Sequence, residues 1–293
     1  VLAAEVLEYL REPPEGVIVD CTIGLGGHAG LLLEANPQLR LIGLDVDEAN
    51  LEMARKQLSP FEGRFRLVPA NFTELADVLR RLRQPRVGGI LADLGFSSNQ
   101  LADPLRGLSF ETDGPLDMRL DRSRGPTAAD LVNTLPEGEL SDLLYIQSQE
   151  RHSRRIARRI CQERRRGRVD STAVLARLVA AAIGQNPQSH RSRIHPATRT
   201  FLALRMAVNE ELTALRRLLG QCPECLVSGG RVAVIAFHSG EDRIVKEEFR
   251  ARANAGQYRT LTRKPVGAGE EEKRRNPRSR SAKIRVAEMV GDT

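Results

Sequence analysis

Val17-Ile18-Val19-Asp20-Cys21-Thr22-Ile23-Gly24-Leu25-Gly26-Gly27-His28 is the stretch whose reading decides the fold. A short β-branched run stands between Pro14 and a cluster of glycines, which predicts a buried strand ending near Asp20. The glycines lead into "AGLLLEAN" (29–36), an apolar helical stretch. Strand, glycine turn and helix bring backbone N–H groups and a close backbone approach to one spot, as a nucleotide-like cofactor needs. Alone the motif is weak, and a simple tight turn accounts for it almost as well.

Working outward, "RLIGLDVD" (40–47) reads as a second strand ending at Asp45, and "EANLEMARKQL" (48–58) has helical spacing. "FRLVPANF" (65–72) is a third strand. "TELADVLRRL" (73–82) is a helix with Thr73 as its expected N-cap. "VGGILADLG" (87–95) is a fourth strand ending at Asp93. Strands alternating with helices give a parallel sheet with right-handed crossovers. Asp45 lies about 20 residues after the glycine turn, where a carboxylate can accept both ribose hydroxyls. Asp93 closes the fourth strand on the same sheet edge. Each Asp could merely cap the next helix, but three strand ends in one segment make that less economical. The glycines fall as Gly24-x-Gly26-x-x-x-Gly30, one residue off the dinucleotide fingerprint. S-adenosylmethionine carries an adenosine without a pyrophosphate, so the spacing favours a methyl donor over NAD.

After Leu94 the alternation stops. No strand pattern is evident from Asp103 to Pro196. Thr127 to Asp130 opens a helix with a capping box. Helical patterns follow at 137–148, 151–166 and 171–183, and "NPQSHRSRIHP" (186–196) interrupts them. "ATRTFLALRMAVNEELTALRRLL" (197–219) reads as one long amphipathic helix. "GGRVAVIAFHS" (229–239) is a fifth strand, and "QYRTLTRK" (257–264) and "AKIRVAEMV" (282–290) are two more with a basic loop between them. The expected organisation is 1–104 and 196–293 as one sheet-bearing domain, with 105–195 as an inserted all-helical domain.

The 293 residues carry 45 Lys+Arg against 38 Asp+Glu, five His, four Cys and no Trp, for a net charge of +7. No apolar run approaches the roughly 20 residues of a membrane span. No signal-like segment opens the chain, and the initial Val suggests a missing N-terminus. Four Cys in this length are no disulfide framework, which points to a reducing, cytoplasmic setting. Only five basic residues are Lys (56, 246, 264, 273, 283), so 40 are Arg, whose planar fork fits phosphate oxygens. Nine of these Arg fall between Arg151 and Arg168 with the single acid Glu163, and seven basic residues fall between Lys273 and Arg285 with no acid. A solvated helix face and a loose loop would explain either run. Two such runs favour a polyanionic partner. Aromatic residues are 4% of the chain, too few for a long single-strand stacking platform.

The chain resembles the bacterial 16S ribosomal RNA cytosine-N4 methyltransferases of the MraW type over nearly its whole length. The resemblance rests on "EVLEYL" (5–10), "DCTIGLGGHAG" (20–30), "GLDVDEAN" (43–50), "ADLGFSSNQLADPLRGLSF" (92–110), "DGPLDMR" (113–119), "ERHSRRIARRI" (150–160), "HPATRTFLALRMAVNEEL" (195–212), "GGRVAVIAFHSGEDRIVK" (229–246) and "NPRSRSAKIRVAE" (276–288). It implies an α/β, class I (Rossmann-like) methyltransferase sheet with an inserted helical domain, S-adenosylmethionine as donor, and a decoding-centre (P-site) cytosine of the small ribosomal subunit as acceptor. Donor-binding positions carried over are Gly26, Gly27, His28, Asp45, Phe72 (against the adenine), Asp93 and Gln100. Asn99 stands where the family usually has Pro, and Gly240 where it has Leu, which bears on local loop shape only.

Transfer to an exocyclic amine chiefly requires nitrogen, methyl carbon and sulfur in line. An acceptor that takes a hydrogen bond from the amine localises its lone pair, and Asp93 is the candidate, unless it serves the donor and a carbonyl of 94–97 takes this part. Asp113, Asp117 and Arg119 are candidates for the base or its phosphate, and a charged turn is an equal reading. His238 at the fifth strand's end is a weak candidate base. The base must leave its stack to be reached. Arg154, Arg155, Arg158 and Arg159, with Arg278 and Arg280 near the C-terminus, would hold phosphates. Cys222-Pro-Glu-Cys225 lacks a second ligand pair for zinc, so it reads as a helix-to-strand turn and no metal is expected. The absence of a Pro-Cys nucleophile argues against C5 methylation, which needs covalent attack. Two rival readings remain. A small-molecule methyltransferase would not need the Arg runs, and a non-catalytic RNA-binding assembly factor would not need Gly26 with Asp45. Oligomeric state is open, a dimer included.

Overall fold

A computed structural model describes residues 1–184 and 195–291 and divides the chain into two compact units, 1–95 with 212–293, and 96–211. In the first unit the elements run α1 (Ala3–Leu10), β1 (Val17–Asp20), α2 (Gly27–Ala35), β2 (Arg40–Asp45), α3 (Glu48–Gln57), β3 (Phe65–Pro69), α4 (Leu75–Arg81) and β4 (Val87–Asp93). The second unit holds α5 (Ser98–Ala102), α6 (Ala128–Thr134), α7 (Glu137–Ser148), α8 (Ser153–Glu163), α9 (Thr172–Ile183) and α10 (Thr198–Val208). The chain returns to the first through α11 (Glu211–Cys225), β5 (Leu226–Ala236), α12 (Ser239–Asn254), β6 (Tyr258–Thr260), β7 (Val266–Gly267), α13 (Glu270–Arg275) and β8 (Lys283–Met289).

The sheet runs β3-β2-β1-β4-β5-β8-β6, with β7 also on β8. β1 to β5 pair in parallel, and β8 is antiparallel to β5. Strand order reverses between β1 and β4, so a crevice opens there at the carboxyl ends of the strands. Asp20 and Asp93 end the two strands that flank it. Alternation along each strand supplies two cores. Val17 and Val19 join Ile42, Leu44, Ile90, Leu215, Leu218 and Phe249 on one face. Ile18 joins Leu41, Leu91, Leu32, Leu33 and Leu51 on the other. Both faces of a parallel sheet are covered, which is why β1 reads as an unbroken apolar run.

Four expectations differ from the structure. Thr73 does not cap α4; Asn71 accepts the Thr73 N–H and starts a short 3-10 turn before it. The long helix at 197–219 is two helices, α10 and α11. Glu210 has φ of 49°, and the Asn209 side chain instead donates to the Met118 carbonyl and accepts from Leu120 N–H. An i,i+4 apolar spacing that happens to continue across a break cannot reveal it. The basic loop before the last strand contains α13. The compact units also meet at 95/96 and 211/212 rather than at 104/105 and 195/196, because α5 and α10 belong with the inserted helices. The interruption expected at 186–196 lies largely outside the described residues.

The second unit has its own core of Leu116, Met118, Val132, Leu140, Leu144, Ile156, Ile160, Leu175, Val179 and Leu204. The expected capping box is present: Thr127 Oγ1 accepts from Asp130 N–H while Asp130 accepts from Thr127 N–H. Among the described residues no helix is long and apolar enough to cross a membrane.

Candidate active site

The crevice is built by the turn after β1. Gly24 and Gly26 have φ of 50° and 85°, a left-handed backbone that glycine adopts without strain. Gly26 caps α2, and a Cβ there would lie 3.3 Å from Leu58. Gly27 is different. Its φ is not positive, and a Cβ would meet nothing within 4 Å. Neither conformation nor packing demands glycine at 27, so its missing side chain leaves open space over the start of α2. The exposed N–H groups of a helix's first turn favour an electron-rich ligand there.

Asp45 clamps this turn. Its Oδ2 accepts from Gly24 N–H at 3.1 Å and from Asn50 Nδ2 at 3.0 Å, and its Oδ1 from Asp47 N–H at 2.9 Å. Three of about four acceptor positions of a carboxylate are thus used, which leaves room for about one further hydroxyl. Burial pushes the Asp45 carboxyl up, and the bonds from Asp47 and Asn50 pull it back. Phe72 is half-buried against the sheet face that carries Leu44 and Ala70.

Across the switch point stands a buried cluster. His28 Nε2 is 3.3 Å from Asp93 Oδ2. Both His28 nitrogens and Asp93 Oδ1 are buried without a hydrogen-bond partner among the described residues. Asp20 is 1% exposed. Burial raises its carboxyl to about 6, opposed by the His28 ring and the Thr22 N–H. The sequence reading takes Asp20 only as a strand end and gives neither Asp20 nor Thr22 a part in the site, because both look like ordinary strand-end and turn residues. The signal that could have found Asp20 is an acid closing a strand otherwise made of Val and Ile.

His238 is held by its own helix. Its Nδ1 accepts the Glu241 N–H at 3.3 Å, and Nε2 lies 3.2 Å from Glu241 Oε1. Glu241 Oε2 accepts the Phe237 and His238 N–H groups. This is the capping box of α12, which uses Nδ1; Nε2 is buried and makes no hydrogen bond among the described residues. Cys222 and Cys225 are buried in the last turns of α11 rather than in a turn after it, and burial pushes the Cys225 thiol up to about 12. That is the state of inert thiols.

The remaining sequence candidates lie in the second unit. Asp113 Oδ1 accepts from Ser171 Oγ and Ala173 N–H and caps α9. The Ser171 and Ala173 bonds hold its carboxyl below the usual range. Asp117 forms a two-pronged pair with Arg119 (2.9 Å on each prong). Gln100, buried, accepts the Ser97 N–H at 3.0 Å in the capping box of α5. The arginine run divides. Arg158 pairs with Glu137, Arg159 with Glu163 and Arg168 with Asp130. Arg164 donates to the Val132 and Leu135 carbonyls. Arg151, Arg154 and Arg155 are exposed and have no partner among the described residues. In the first unit, Lys273 and Arg275 pair with Glu270 and Glu271, acids just outside the run as counted in sequence. Arg285 is buried on Asp242, while Arg278 and Arg280 are exposed on a short 3-10 turn.

A parallel sheet ordered 3-2-1-4-5, an antiparallel strand beside the fifth, a glycine turn after the first and a carboxylate closing the second define a class I methyltransferase of the S-adenosylmethionine-dependent kind, here with an all-helical insertion. Within that class the chain belongs to the MraW methylase family, whose profile matches residues 1–290. It is 46% identical to the ribosomal RNA small subunit methyltransferase H of Geobacter sp. (strain M21), over 99% of this chain and 97% of that protein. It is 48% identical to the protein of that name in Sorangium cellulosum (strain So ce56), over 99% and 90%. The figure is 49% for that of Synechococcus sp. (strain CC9605), over 99% and 96%. Among solved structures it aligns with an rRNA methylase from Streptococcus thermophilus at a TM-score of 0.45 and 10% identity, over 98% of this chain and 93% of that one.

Proposed function

We propose that this chain transfers the methyl group of S-adenosylmethionine to the exocyclic N4 of a P-site cytosine in 16S ribosomal RNA of the small subunit, in the cytoplasm. The observation that carries the reading is the glycine turn that opens α2, held by the Asp45 clamp, with space for a ligand beside Gly27. The names of the curated relatives support small-subunit ribosomal RNA as the acceptor.

Gly26, Gly27 and the start of α2 would hold the amino-acid end of the donor, and Asp45 would accept from its ribose. Phe72 would pack on the adenine, and Gln100 is the remaining donor position that the family resemblance implies. When bound, the donor supplies an electrophilic methyl on a positive sulfur. The protein's task is alignment and the handling of one proton. Asp93 Oδ1, buried and without a hydrogen-bond partner among the described residues, is the acceptor that can take an N–H. In a dry crevice that hydrogen bond is stronger than in water.

Phosphate contacts fall to Arg154 and Arg155, with Arg158, Arg159, Arg278 and Arg280 adding charge. Arg154 and Arg155 stand in the first turn of α8, which has no acid there and no side-chain cap. Cations at a helix N-terminus oppose the helix dipole, by roughly 0.3–1 kcal/mol each. A fold gains nothing from that placement, whereas a polyanion partner does. The test is methyl transfer to small subunits from an unmethylated strain, with the modified base mapped by mass spectrometry. N4-methylcytidine at one P-site position is expected. No calorimetric heat with S-adenosylhomocysteine, or a methyl group on another atom, would overturn the assignment. RNA affinity should fall steeply with salt, and replacing Arg154 and Arg155 by Ala should reduce the salt slope by about 2.

A further inference from the structure

Asp20 is the feature of the crevice that neither the fold nor donor binding explains. Its carboxylate is buried, which is costly. The turn does not need the charge, since an Asn in its place would accept the same Thr22 N–H. The hydrogen bonds show where the charge acts. Asp20 Oδ1 accepts from Thr22 N–H at 3.0 Å and lies 3.4 Å from the Thr22 hydroxyl. That hydroxyl accepts the backbone N–H of Asp93 at 2.7 Å. A hydroxyl accepting on one side keeps its own proton to donate on the other. A continuous relay therefore runs from the Asp93 N–H through Thr22 to Asp20, across the switch point from β4 to β1. The charged and titratable groups facing Asp20 are His28 from α2, Asp93 from β4 and Asp45 from β2. His28 in turn lies against Asp93, whose other oxygen has no hydrogen-bond partner among the described residues.

We propose that Asp20 and Thr22 are positioning residues for methyl transfer: the relay from the charged Asp20 through Thr22 fixes the end of β4, and with it the Asp93 carboxylate, with Oδ1 open to an N–H donor of the bound substrates. The inference rests on the methyltransferase reading above. Two N–H donors share the required chemistry, the α-ammonium of the methyl donor and the exocyclic amine of the base. A misplaced acceptor near the reacting nitrogen costs rate without a matching cost in folding. An Asp20 that must stay charged also ties the rate to pH. The rate falls as pH drops through the Asp20 titration near 6.

The experiment compares the full chain with Thr22→Val, Thr22→Ser and Asp20→Asn, by single-turnover methylation of unmethylated small subunits over a range of pH. Thr22→Val should slow transfer about 10-fold or more, and Thr22→Ser, which keeps the hydroxyl, should recover to within about 3-fold of the wild type. Asp20→Asn should lower the plateau and abolish the acid limb near pH 6, while its thermal midpoint is unchanged or raised. Wild-type rates in Thr22→Val and Asp20→Asn, or a Thr22→Ser as slow as Thr22→Val, overturn the proposal. Calorimetry with S-adenosylhomocysteine and with 5′-methylthioadenosine, which lacks the amino-acid end, separates the two N–H donors. In Asp20→Asn, weaker S-adenosylhomocysteine with unchanged methylthioadenosine assigns Oδ1 to the ammonium. Unchanged affinity for both with a slowed rate assigns it to the base. Equal loss for both means a collapsed pocket and overturns the proposal. A wild type that neither binds S-adenosylhomocysteine nor methylates would sink the methyltransferase reading itself, a different failure from unaffected variants of an active enzyme.

Discussion

In the helical unit the singled-out acids are used up by the fold, whereas in the sheet-bearing unit they are left with unmet capacity. Asp113 takes its hydrogen bonds from residues that start α9, and Asp117 takes both prongs of Arg119. Arg205 and Glu211 repeat the pattern, paired at 2.7 Å. In the other unit Asp93 Oδ1 and both His28 nitrogens are buried without a hydrogen-bond partner among the described residues, and Asp20 is buried with His28, Asp93 and Asp45 facing it. Buried polar atoms without partners are uncommon in folded proteins and require a reason. Carboxylates satisfied by the fold serve its architecture, and Asp93, left open, is where the proposed substrates would complete the arrangement. A motif's acidity does not distinguish the two cases; its hydrogen-bond account does.

The comparison breaks most easily at Gly27. Gly27→Leu should leave the thermal midpoint unchanged or higher, yet weaken S-adenosylhomocysteine about 100-fold, near 2.7 kcal/mol, by calorimetry. Unaltered affinity would remove the cradle from the site. In the helical unit Asp117→Asn should show the reverse, a stability loss of about 2 kcal/mol by denaturant unfolding with donor affinity intact. The loss stays below the roughly 3–5 kcal/mol of a fully buried pair because the Arg119 side chain keeps 20% of its surface exposed. A weakened donor affinity in that variant would contradict a purely architectural Asp117.

Asp20 offers an effect of similar size and opposite sign. Its carboxyl is raised from 3.8 to about 6 in the fold, so the charged form is the less stable one. The destabilisation is present above pH 6 and is relieved as pH falls through 6 toward the unfolded value. Asp20→Asn should therefore exceed the wild type by on the order of 2 kcal/mol at neutral pH, with the difference vanishing in the acid range. A constant difference at all pH values would show that Asp20 is not charged in the fold. The smallest effect is expected for Asp113→Ala, a slight fall in thermal midpoint from loss of the bonds that start α9, with no change in methylation rate per folded molecule.

The crevice could be read from β-branched runs, glycines and strand-end acids because those signals are local. Val17 to Asp20 is buried on both faces and so carries no alternation, but its length and flanks suffice. The capping box at Thr127 was legible for the same reason. The hydrogen bonds of Asp113, Asp117 and His238 are not legible there, because a polar residue in a charged turn looks alike whether it bonds a distant helix or meets a substrate. Asp113 bonds residues about 60 positions away, a pairing no spacing rule anticipates. The break between α10 and α11 depends likewise on Asn209 finding Met118 and Leu120 some 90 residues upstream.

By itself the sequence determined the alternation of strands and helices, the glycine turn and the carboxylates at three strand ends, since each follows from side-chain periodicity and backbone freedom within a few residues. Only the tertiary structure decided which polar groups are consumed and which remain available. That outcome depends on partners brought together from distant parts of the chain, and a hydrogen bond is satisfied by proximity in space, not along the sequence.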